Sequence, residues 1–422
     1  MATEANAKTE AESRQLNLGF IGVGVGGLEI IRTAAGLKQI NLAAAADIVP
    51  ATRARFRERY PESTVYASAD ELCADPDIEA VWVATPNRFH ARHAILAANH
   101  GKHVVVEKPM AISLQEAEQM VEAAQKNGVK LLAGHTQSYT LPVRAMRKVI
   151  ESGRLGRLRA VHILSYSDWM LRPRTPDELD PAQGGGIPYR QGPHQVDTVR
   201  ALGGGKLRSV RAMTGQWMPE RPIAGYYTAY LEFEDGTPAT IVHNGYGYFL
   251  ANELVPWGSS RQRYTVEERV KVRKALRHGK RDEEQDKQDM RIGGSGENAM
   301  RQRAQSGERH PWLPADLGLV IVSCERGDIR HSQDGIAVYD DEGIHDIDLS
   351  SADTAGRQGE LLELYNAVVK GAPVHHDGRW GMATLEVCLA LIESAKRRLE
   401  IQLSHQVSLA SDYDAGLELP GW

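Results

Sequence analysis

The stretch GVGVGG near the start of the chain has the residue types and spacing that bind a phosphate. It places Gly22, Gly24 and Gly27 in G-x-G-x-x-G spacing, directly after a short apolar run. The first glycine permits a tight turn, the second lets the backbone approach a pyrophosphate, and the third lets a helix pack on a strand. The N-terminus of that helix presents free N–H groups to the phosphate. The pattern predicts a dinucleotide site.

Asp47 bears on which dinucleotide binds. It lies at the end of the next apolar run, where a carboxylate can accept hydrogen bonds from the adenosine ribose. The same carboxylate would repel a 2′-phosphate, and Ile48 supplies no cation to offset it. Arg53 lies further along the chain, and its side chain could favour NADP only by reaching back to the 2′-phosphate. The sequence therefore favours NAD over NADP, while a helix-capping role for Asp47 ahead of Pro50 stays open.

A second group with chemical potential is GGGIPYRQGPHQ, residues 184–195. Its glycines allow close backbone approach, and Arg190 stands four residues ahead of His194. The planar guanidinium fork of an arginine matches a carboxylate. Arg172 and Arg174, in WMLRPRTP, add positive charge nearby. The alternative for Arg190 is a pair with an internal acid or a position in solvent.

Short apolar runs alternate with helical stretches between residues 16 and 134. The runs LGFIGV, NLAAAA, AVWVAT, KHVVVE and KLLAG lack in-and-out alternation and predict buried parallel strands. Pro50 suits the first turn of one helix, Ser113 with Glu116 forms a capping-box pattern, and Gly128 suits the end of that helix. The alternation predicts an α/β fold with an N-terminal doubly wound parallel sheet of the Rossmann type.

After residue 134 the pattern changes to one of antiparallel strands. GYYTAYLEFEDG and PATIVHNG meet at turn signals, and helices are predicted at 141–152, 358–370 and 380–397. We therefore predict a C-terminal α+β domain with a large, mostly antiparallel open sheet. The predicted divisions are a flexible tail at 1–15, the NAD-binding domain at 16–134, a substrate-binding and oligomerisation domain at 135–405 with a charged insertion at about 251–315, and a tail at 406–422.

Composition limits the partners and the setting. The 422 residues carry a net charge of −5, which gives no general attraction to nucleic acid or to an anionic membrane. The three cysteines are widely spaced, so neither a disulfide framework nor a CxxC metal site is expected. The polar N-terminus lacks the apolar core of a signal peptide, and no run of 18 apolar residues occurs. We expect a cytoplasmic protein without a metal.

Several motifs together resemble one known family. AVWVATPNRFHARHAILAANHGKHVVVEKPMA, with Glu107, Lys108 and Pro109 in its EKP, is similar to the core signature of the Gfo/Idh/MocA oxidoreductases. The glycine motif before it and SGRLGRLRAVH after it agree, and GGG…GPHQVD falls where a second family motif belongs. The resemblance covers most of residues 16–250 and 355–400, and it is more specific for the family than for the substrate.

The resemblance implies roles for individual residues. The residues it places beside the cofactor are Thr85, Pro86, Asn87, His90 and Glu107. It implies that Lys108 lies near the hydride-transfer centre and that His194 is the acid/base. The chemistry is compatible, because a positioned histidine can accept the proton of an alcohol and a lysine cation stabilises the developing alkoxide. Asp197 would share a helix face with His194 and orient it, or else face solvent. The resemblance further implies a homo-oligomer, a dimer or tetramer.

The opening of the second motif departs from the family pattern. Many relatives carry an acid that contacts a sugar hydroxyl where this chain has Arg190. PYRQGPHQVD, DLGLVIVSCERGDIR and HHDGRWGMATLEVCLA are similar to the phthalate cis-dihydrodiol dehydrogenase branch, which acts in bacterial aromatic degradation. That resemblance implies an NAD-dependent dehydrogenase of an anionic dihydrodiol, and two substrate carboxylates would explain an arginine. The ring position of the diol, 3,4 or 4,5, stays open.

Two other functions stay open from the sequence. A sugar or inositol dehydrogenase of the same family is one, although Arg190 counts against it. An NAD-sensing regulatory protein is the other, although such a protein could dispense with Lys108 and His194. A DNA-binding role has only the charged insertion in its favour, without aromatic interleaving or a helix-turn-helix.

Overall fold

The computed structural model describes residues 14–257, 264–296, 312–314, 317–350 and 356–422. Most of the predicted N-terminal tail and the insertion segments 258–263, 297–311 and 315–316 lie outside the described residues. The strands, numbered in chain order, are β1 Leu16–Ile21, β2 Ile40–Ala46, β3 Thr64–Tyr66, β4 Ala80–Val83, β5 His103–Glu107, β6 Leu131–Gly134, β7 Leu158–Tyr166, β8 Leu207–Gly215, β9 Tyr226–Phe233, β10 Pro238–Asn244, β11 Leu319–Cys324, β12 Gly327–His331, β13 Gly335–Asp340, β14 Gly343–Asp348 and β15 Ile401–Gln402.

The α-helices complete the element order. They are α1 Leu28–Gly36, α2 Pro50–Arg59, α3 Ala69–Ala74, α4 His90–Asn99, α5 Leu114–Asn127, α6 Leu141–Glu151, α7 Ile187–Arg190, α8 Gly192–Leu202, α9 Val266–Arg277, α10 Glu283–Asp289, α11 Arg357–Val369 and α12 Gly378–Arg397. In the described part of the chain, no helix is long and apolar enough to cross a membrane.

The first sheet has the strand order β3-β2-β1-β4-β5-β6, and every neighbouring pair is parallel. This is the predicted doubly wound Rossmann sheet. Its central strands are buried almost throughout, as their continuous apolar runs require. Sequence analysis missed β3, because three residues at the edge of a sheet are too few to show a pattern.

Local signals placed the helices of this unit correctly. Pro50 opens α2, and Gly128 ends α5 with a φ of +64°. The hydroxyl of Ser113 accepts the N–H of Glu116 at 3.2 Å, as the capping-box pattern predicts. The side chain of Glu116 accepts the N–H of Ile112 instead of the N–H of the cap residue itself.

The second sheet is mostly antiparallel, with the order β14-β13-β12-β11-β7-β10-β9-β8-β15. β7 and β10 form the one parallel pair among the described strands of this second sheet, and the hairpin of β9 and β10 is antiparallel as predicted. α6, α8 and much of α12 supply buried apolar side chains to the core of this unit. The predicted α/β fold class is confirmed.

The chain divides into two compact units that are discontinuous in sequence. The first contains the described residues up to Thr136, with 288–296 and 356–Met382, and the second contains the remaining described residues. The predicted cut after residue 134 therefore misses two later segments that fold with the first unit. Sequence distance cannot reveal such a return, because α11 joins this core through side chains such as Leu361 and Tyr365.

Two predicted segments prove more structured than a loop or a tail. The described part of the insertion contains α9 and α10, and the capping box of Thr265 with Glu268 marks the start of α9. In the predicted C-terminal tail, Asp414 is buried and pairs with Arg144 at 2.7 Å.

Candidate active site

The predicted glycine turn joins β1 to α1 in the first unit. Gly22 has a φ of +90°, and a Cβ atom there would lie 2.8 Å from the carbonyl oxygen of Ala84, so only glycine fits. A Cβ atom at Gly27 would lie 3.2 Å from the Cβ atom of Ala84. At Gly24, by contrast, a Cβ atom would have no described atom within 4 Å. The turn therefore combines close packing on one side with open space for a ligand on the other.

Asp47 follows β2 and accepts two backbone hydrogen bonds. One carboxylate oxygen accepts the N–H of Val23 at 3.0 Å, and the other accepts the N–H of Val49 at 2.8 Å. Nη1 of Arg53 donates to the main-chain oxygen of Asp47 at 2.8 Å. The carboxylate is thus held beside the glycine turn, and the guanidinium of Arg53 lies at the main chain of the same residue. A contact of Arg53 with the 2′-phosphate of NADP stays a prediction.

These residues fit a nicotinamide dinucleotide. The glycine turn, Asp47 and the segment after β4 all lie at the carboxyl ends of the strands, where the strand order reverses between β2, β1 and β4. In doubly wound sheets, ligands bind in the crevice at this reversal point. Open space at Gly24 leaves room for the approach of a pyrophosphate, and each oxygen of Asp47 keeps a lone pair for a ribose hydroxyl.

The segment after β4 carries four of the five residues that the resemblance placed beside the cofactor, namely Thr85, Pro86, Asn87 and His90. Pro86 is exposed, Thr85 is half-buried, and Asn87 is buried at the start of a short 3₁₀ turn. The hydroxyl of Thr85 lies 3.2 Å from Nδ1 of His93. Burial, with Arg92 and His90 nearby, lowers the pKa of His93 to about 4, so His93 is neutral at physiological pH.

His90 connects this segment to the EKP motif. Its Nε2 lies 2.7 Å from the main-chain oxygen of Thr85, and its Nδ1 lies 2.8 Å from the main-chain oxygen of Pro109. Lys108 follows β5 directly, is half-buried, and precedes Pro109 through a cis peptide bond. The buried imidazole of His90 thereby connects the main chain at Thr85 with the main chain at Pro109, the residue after Lys108.

Sequence analysis missed the partners of Glu107. Nη1 of Arg357, on α11, lies 2.8 Å from Glu107 and 3.1 Å from Glu360, and the indole N–H of Trp82 donates to Glu107 at 3.3 Å. Burial raises the pKa of Glu360. The positive charge of Arg357 opposes this rise, and the negative charge of Glu107 adds to it. Arg357 lies 250 residues from Glu107 in the chain, so no local signal points to the pair.

The second unit contains the GGGIPYRQGPHQ segment. A Cβ atom at Gly185 would lie 2.7 Å from the carbonyl oxygens of Asp180 and Glu178, which explains a glycine there. Arg190 ends α7, and its Nη2 lies 3.0 Å from Oε1 of Glu178. The sequence left open that Arg190 pairs with an internal acid or lies in solvent, and the pair with an internal acid is present. The side chain of Arg190 nevertheless remains 26% exposed.

Arg172 and Arg174 belong to the same region but have different surroundings. Arg174 is buried, with its guanidinium carbon 3.6 Å from the ring centroid of Trp169, and it donates to the main-chain oxygen of Trp169 at 2.7 Å. Arg172 pairs with Asp168 at 2.9 Å. Burial lowers the pKa of Arg174 to about 9, although Glu178 opposes the shift. The substrate contacts predicted for both arginines stay predictions.

His194 lies in the first turn of α8. Every other residue from Gly192 to Leu202 is buried, and His194 alone of this helix is partly exposed. Asp197 is completely buried one turn later. The helix therefore presents a histidine at its surface, which a proton acceptor requires. The orienting role predicted for Asp197 stays a prediction.

The described residues offer no metal site, since they contain no group of three or more His, Cys, Asp or Glu that could hold an ion.

Sequence analysis also missed Glu178 and Lys287, which pair at 2.7 Å. Thr175 and Glu178 do carry a capping-box pattern, and the reciprocal bonds form. That pattern predicts a turn and gives no indication of the cations around it.

Comparisons with known proteins agree with this geometry. Residues 16–135 match the family described as "Oxidoreductase family, NAD-binding Rossmann fold" (GFO_IDH_MocA), and residues 143–251 match its GFO/IDH/MocA C-terminal domain. The chain is 32% identical over 390 residues to 1-carboxy-3-chloro-3,4-dihydroxycyclohexa-1,5-diene dehydrogenase of Comamonas testosteroni, covering 91% of this chain and 96% of that protein.

Two solved structures are also similar. A dehydrogenase structure from Bordetella bronchiseptica RB50 is 33% identical with a TM-score of 0.83, covering 92% of this chain and 100% of that one. Levoglucosan dehydrogenase in complex with NADH and levoglucosan is 18% identical with a TM-score of 0.69, covering 92% and 99%, and shows likeness of fold alone.

Proposed function

The chain belongs to the Gfo/Idh/MocA oxidoreductases, and on this premise we propose that it oxidises a cis-dihydrodiol that carries a carboxylate on its ring. Within this substrate class, we propose first a phthalate dihydrodiol, which carries two carboxylates. The observation that carries the proposal is Arg190, a cation that stays 26% exposed beside Glu178, at the position where the resemblance implies an acid in sugar-oxidising relatives. A full-length relative named for a carboxylated cyclohexadiene diol supports the same class.

The proposed reaction separates a hydride from a proton. NAD, when bound, supplies the hydride acceptor. The imidazole of His194 accepts the proton of the reacting hydroxyl, because it is the one side chain of α8 that reaches the surface. The ammonium of Lys108 donates to the alkoxide oxygen as its charge develops. The ketone so formed tautomerises to an aromatic diol, which draws the reaction forward.

The rest of the proposed cofactor site lies in the first unit. The glycine turn receives the pyrophosphate, Asp47 accepts from the ribose, and Thr85, Pro86 and Asn87 line the nicotinamide side. His90 keeps the main chain of Thr85 and Pro109 in place. We infer a preference for NAD, because Asp47 would repel a 2′-phosphate.

A substrate panel tests the proposal. NADH formation is followed with cis-dihydrodiols of phthalate, of benzoate and of unsubstituted benzene, and with inositol and levoglucosan. We expect the carboxylated dihydrodiols to give the highest kcat/KM. Faster oxidation of a sugar or of inositol would transfer the assignment to the sugar branch of the family.

Two alanine variants test the assigned chemistry. Lys108→Ala and His194→Ala should each lower kcat by about 10² or more, the usual scale for acid–base groups. NADH binding and the Tm should stay close to wild type. Lys130→Ala and His100→Ala, at exposed positions of the first unit, are matched controls with full activity. A variant of Lys108 or His194 that keeps most of its turnover would disprove the role given to that residue.

A further inference from the structure

Three buried charged side chains meet at the end of β5 in the first unit. Glu107 is the last residue of β5, and Arg357 and Glu360 lie in the first turn of α11. Nη1 of Arg357 lies 2.8 Å from Oε1 of Glu107 and 3.1 Å from Oε2 of Glu360. The side chains of Glu107, Arg357 and Glu360 are only 9%, 13% and 1% exposed. One guanidinium therefore holds two buried carboxylates, and one of them belongs to the residue directly before Lys108.

The carboxylate of Glu107 has a second donor on the neighbouring strand. The indole N–H of Trp82, on β4, donates to the same oxygen, Oε1, at 3.3 Å. Trp82 is completely buried among the core side chains of this unit. A buried carboxylate is costly unless it is paired and hydrogen-bonded, so these two donors together determine where the carboxylate of Glu107 lies.

The start of α11 depends on Gly356. This residue has a φ of +58° and a ψ of −118°, a conformation that glycine adopts far more readily than any other residue. A Cβ atom there would make an ordinary contact, 3.5 Å from the Cγ2 atom of Thr136, so the conformation and not the space requires glycine. Leu361 then anchors the helix in the core of the first unit. The turn and the anchored helix together bring Arg357 to Glu107.

Lys108 stands between two residues that are held in place. On one side, the carboxylate of Glu107 is held by Arg357. On the other side, the main-chain oxygen of Pro109 lies 2.8 Å from Nδ1 of the buried His90. Without this guanidinium, the buried carboxylate of Glu107 would move towards water or take up a proton. Either change would alter the end of β5, from which the side chain of Lys108 extends.

We propose that Arg357 is a positioning residue, which holds Glu107 and thereby sets the direction in which Lys108 leaves β5. The inference rests on the proposed function, in which Lys108 stabilises the alkoxide, and it names a residue that acts on Lys108 through Glu107. Reaction rates depend steeply on the placement of such groups, since a displacement of about 1 Å costs roughly 10²-fold. A helix that lies 250 positions later in the chain therefore contributes to catalysis by fixing the end of a strand.

Kinetics of Arg357→Gln test the proposal with the phthalate dihydrodiol, or with whichever member of the substrate panel is oxidised fastest. We expect kcat to fall about 10- to 100-fold, while KM for the substrate changes little. Arg357→Lys should recover part of the loss, because an ammonium keeps the charge but not the planar fork. Arg57→Gln, at an exposed position on α2, is the matched control and should keep full activity.

A double variant shows whether Arg357 acts through Lys108. When Arg357→Gln is added to Lys108→Ala, kcat should fall no further than in Lys108→Ala alone, because residues that act as one unit are not additive. A full additional loss in the Lys108→Ala background would overturn the proposal, and so would an unchanged kcat in Arg357→Gln itself.

Hydrogen exchange of the ligand-free protein separates this inference from the proposed function. In Arg357→Gln, the amides of residues 104–110 should exchange faster than in wild type and in Arg57→Gln, while the amides of β1 should keep their wild-type rates. Faster exchange at 104–110 in an enzyme that oxidises no member of the panel would overturn the proposed function and keep the positioning role. Unchanged exchange at 104–110, or an equal increase in β1, would overturn the positioning role. If Arg357→Gln fails to fold, Arg357→Lys is judged by the same outcomes.

Discussion

Asp47 has a structural role in the fold, and we propose that it also governs coenzyme choice. Its two carboxylate oxygens accept the N–H groups of Val23 and Val49, so its position is set by the glycine turn and by the start of α2. Arg53 lies beside it, held on the main-chain oxygen of Asp47. A carboxylate and a guanidinium at one place have opposite effects on a 2′-phosphate. The coenzyme preference that we propose is therefore a balance between the effects of these two side chains.

Removing the charge of Asp47 should shift this balance. Asp47→Asn keeps one acceptor oxygen but loses the charged hydrogen bonds to the ribose. It should therefore raise KM for NAD about 10-fold and narrow the difference in kcat/KM between NAD and NADP. In the double variant Asp47→Asn with Arg53→Ala, the improvement of NADP relative to NAD should disappear. Initial rates with both coenzymes measure the effect. A wild-type enzyme that is already faster with NADP would contradict the assignment.

At the scale of elements, the strand–turn–helix of β1 and α1 carries a prediction that separates folding from binding. Gly22→Ala places a Cβ atom against the carbonyl oxygen of Ala84 at a φ of +90°, so both the Tm and NADH affinity should fall. Gly24→Ala enters space without a described atom within 4 Å, so the Tm should hold while NADH affinity falls.

Gly26 provides the control for this pair. A Cβ atom at Gly26 also has no described neighbour within 4 Å, and Gly26 lies outside the G-x-G-x-x-G spacing. Gly26→Ala should therefore change neither the Tm nor NADH affinity by much. Calorimetry of NADH binding and thermal unfolding make the comparison. Equal behaviour of Gly24→Ala and Gly26→Ala would mean that no pyrophosphate approaches Gly24.

The oligomerisation proposal belongs to the scale of the whole molecule. Tyr230, Thr240, His162 and Ile321 are directly paired across β9, β10, β7 and β11, so they lie on one face of the second sheet. Tyr230 is 48% exposed and Ile321 is 42% exposed. We propose that this row contacts a second copy of the chain.

Charge introduced on that face should therefore dissociate the assembly. The double variant Tyr230→Glu with Ile321→Glu should lower the mass measured by light scattering from a dimer or tetramer towards a monomer. Ile344→Glu, at an exposed position on β14, is the control and should keep the wild-type mass. A monomeric wild type, or a double variant of unchanged mass, would contradict the proposal.

Stability against acid is a further property of the whole molecule. His331 on β12 is buried and stacked 3.4 Å from Trp312, and its ring nitrogens have no hydrogen-bond partner among the described residues. Burial lowers the pKa of His331 to about 3, while the unfolded chain keeps an ordinary value of 6.5. The unfolded state therefore binds an extra proton as pH falls below 6.5, and stability present above that pH is lost progressively towards pH 3.

His331→Phe should reduce this dependence. Phenylalanine can keep a ring against Trp312 but binds no proton, so the Tm should fall less steeply between pH 6.5 and pH 4 than in wild type. One extra proton bound by the unfolded state lowers the free energy of unfolding by about 1.4 kcal/mol for each pH unit. His100→Gln, at an exposed helix end, is the control. Parallel Tm profiles for His331→Phe and wild type would disprove the contribution of His331.

The sequence by itself determined the features that depend on neighbours in the chain. Glycine spacing set the turn after β1, continuous apolar runs set the parallel strands, and Gly128 marked a helix end. The position of His194 near the start of α8 followed from Gly192 and Pro193. These features are local because backbone conformation and burial pattern are properties of short stretches.

Only the tertiary structure decided which charges meet. Lys287 reaches Glu178 across 109 positions of the chain, and Arg357 reaches Glu107 across 250. Sequence analysis left Arg190 between a substrate carboxylate and an internal acid, and the structure pairs it with Glu178, which Arg174 and Lys287 also contact. No periodicity encodes such pairs, because partners in an ion pair are chosen by the packing of distant elements. The residues proposed for the site therefore came from the sequence, and the ion pairs around them came from the structure alone.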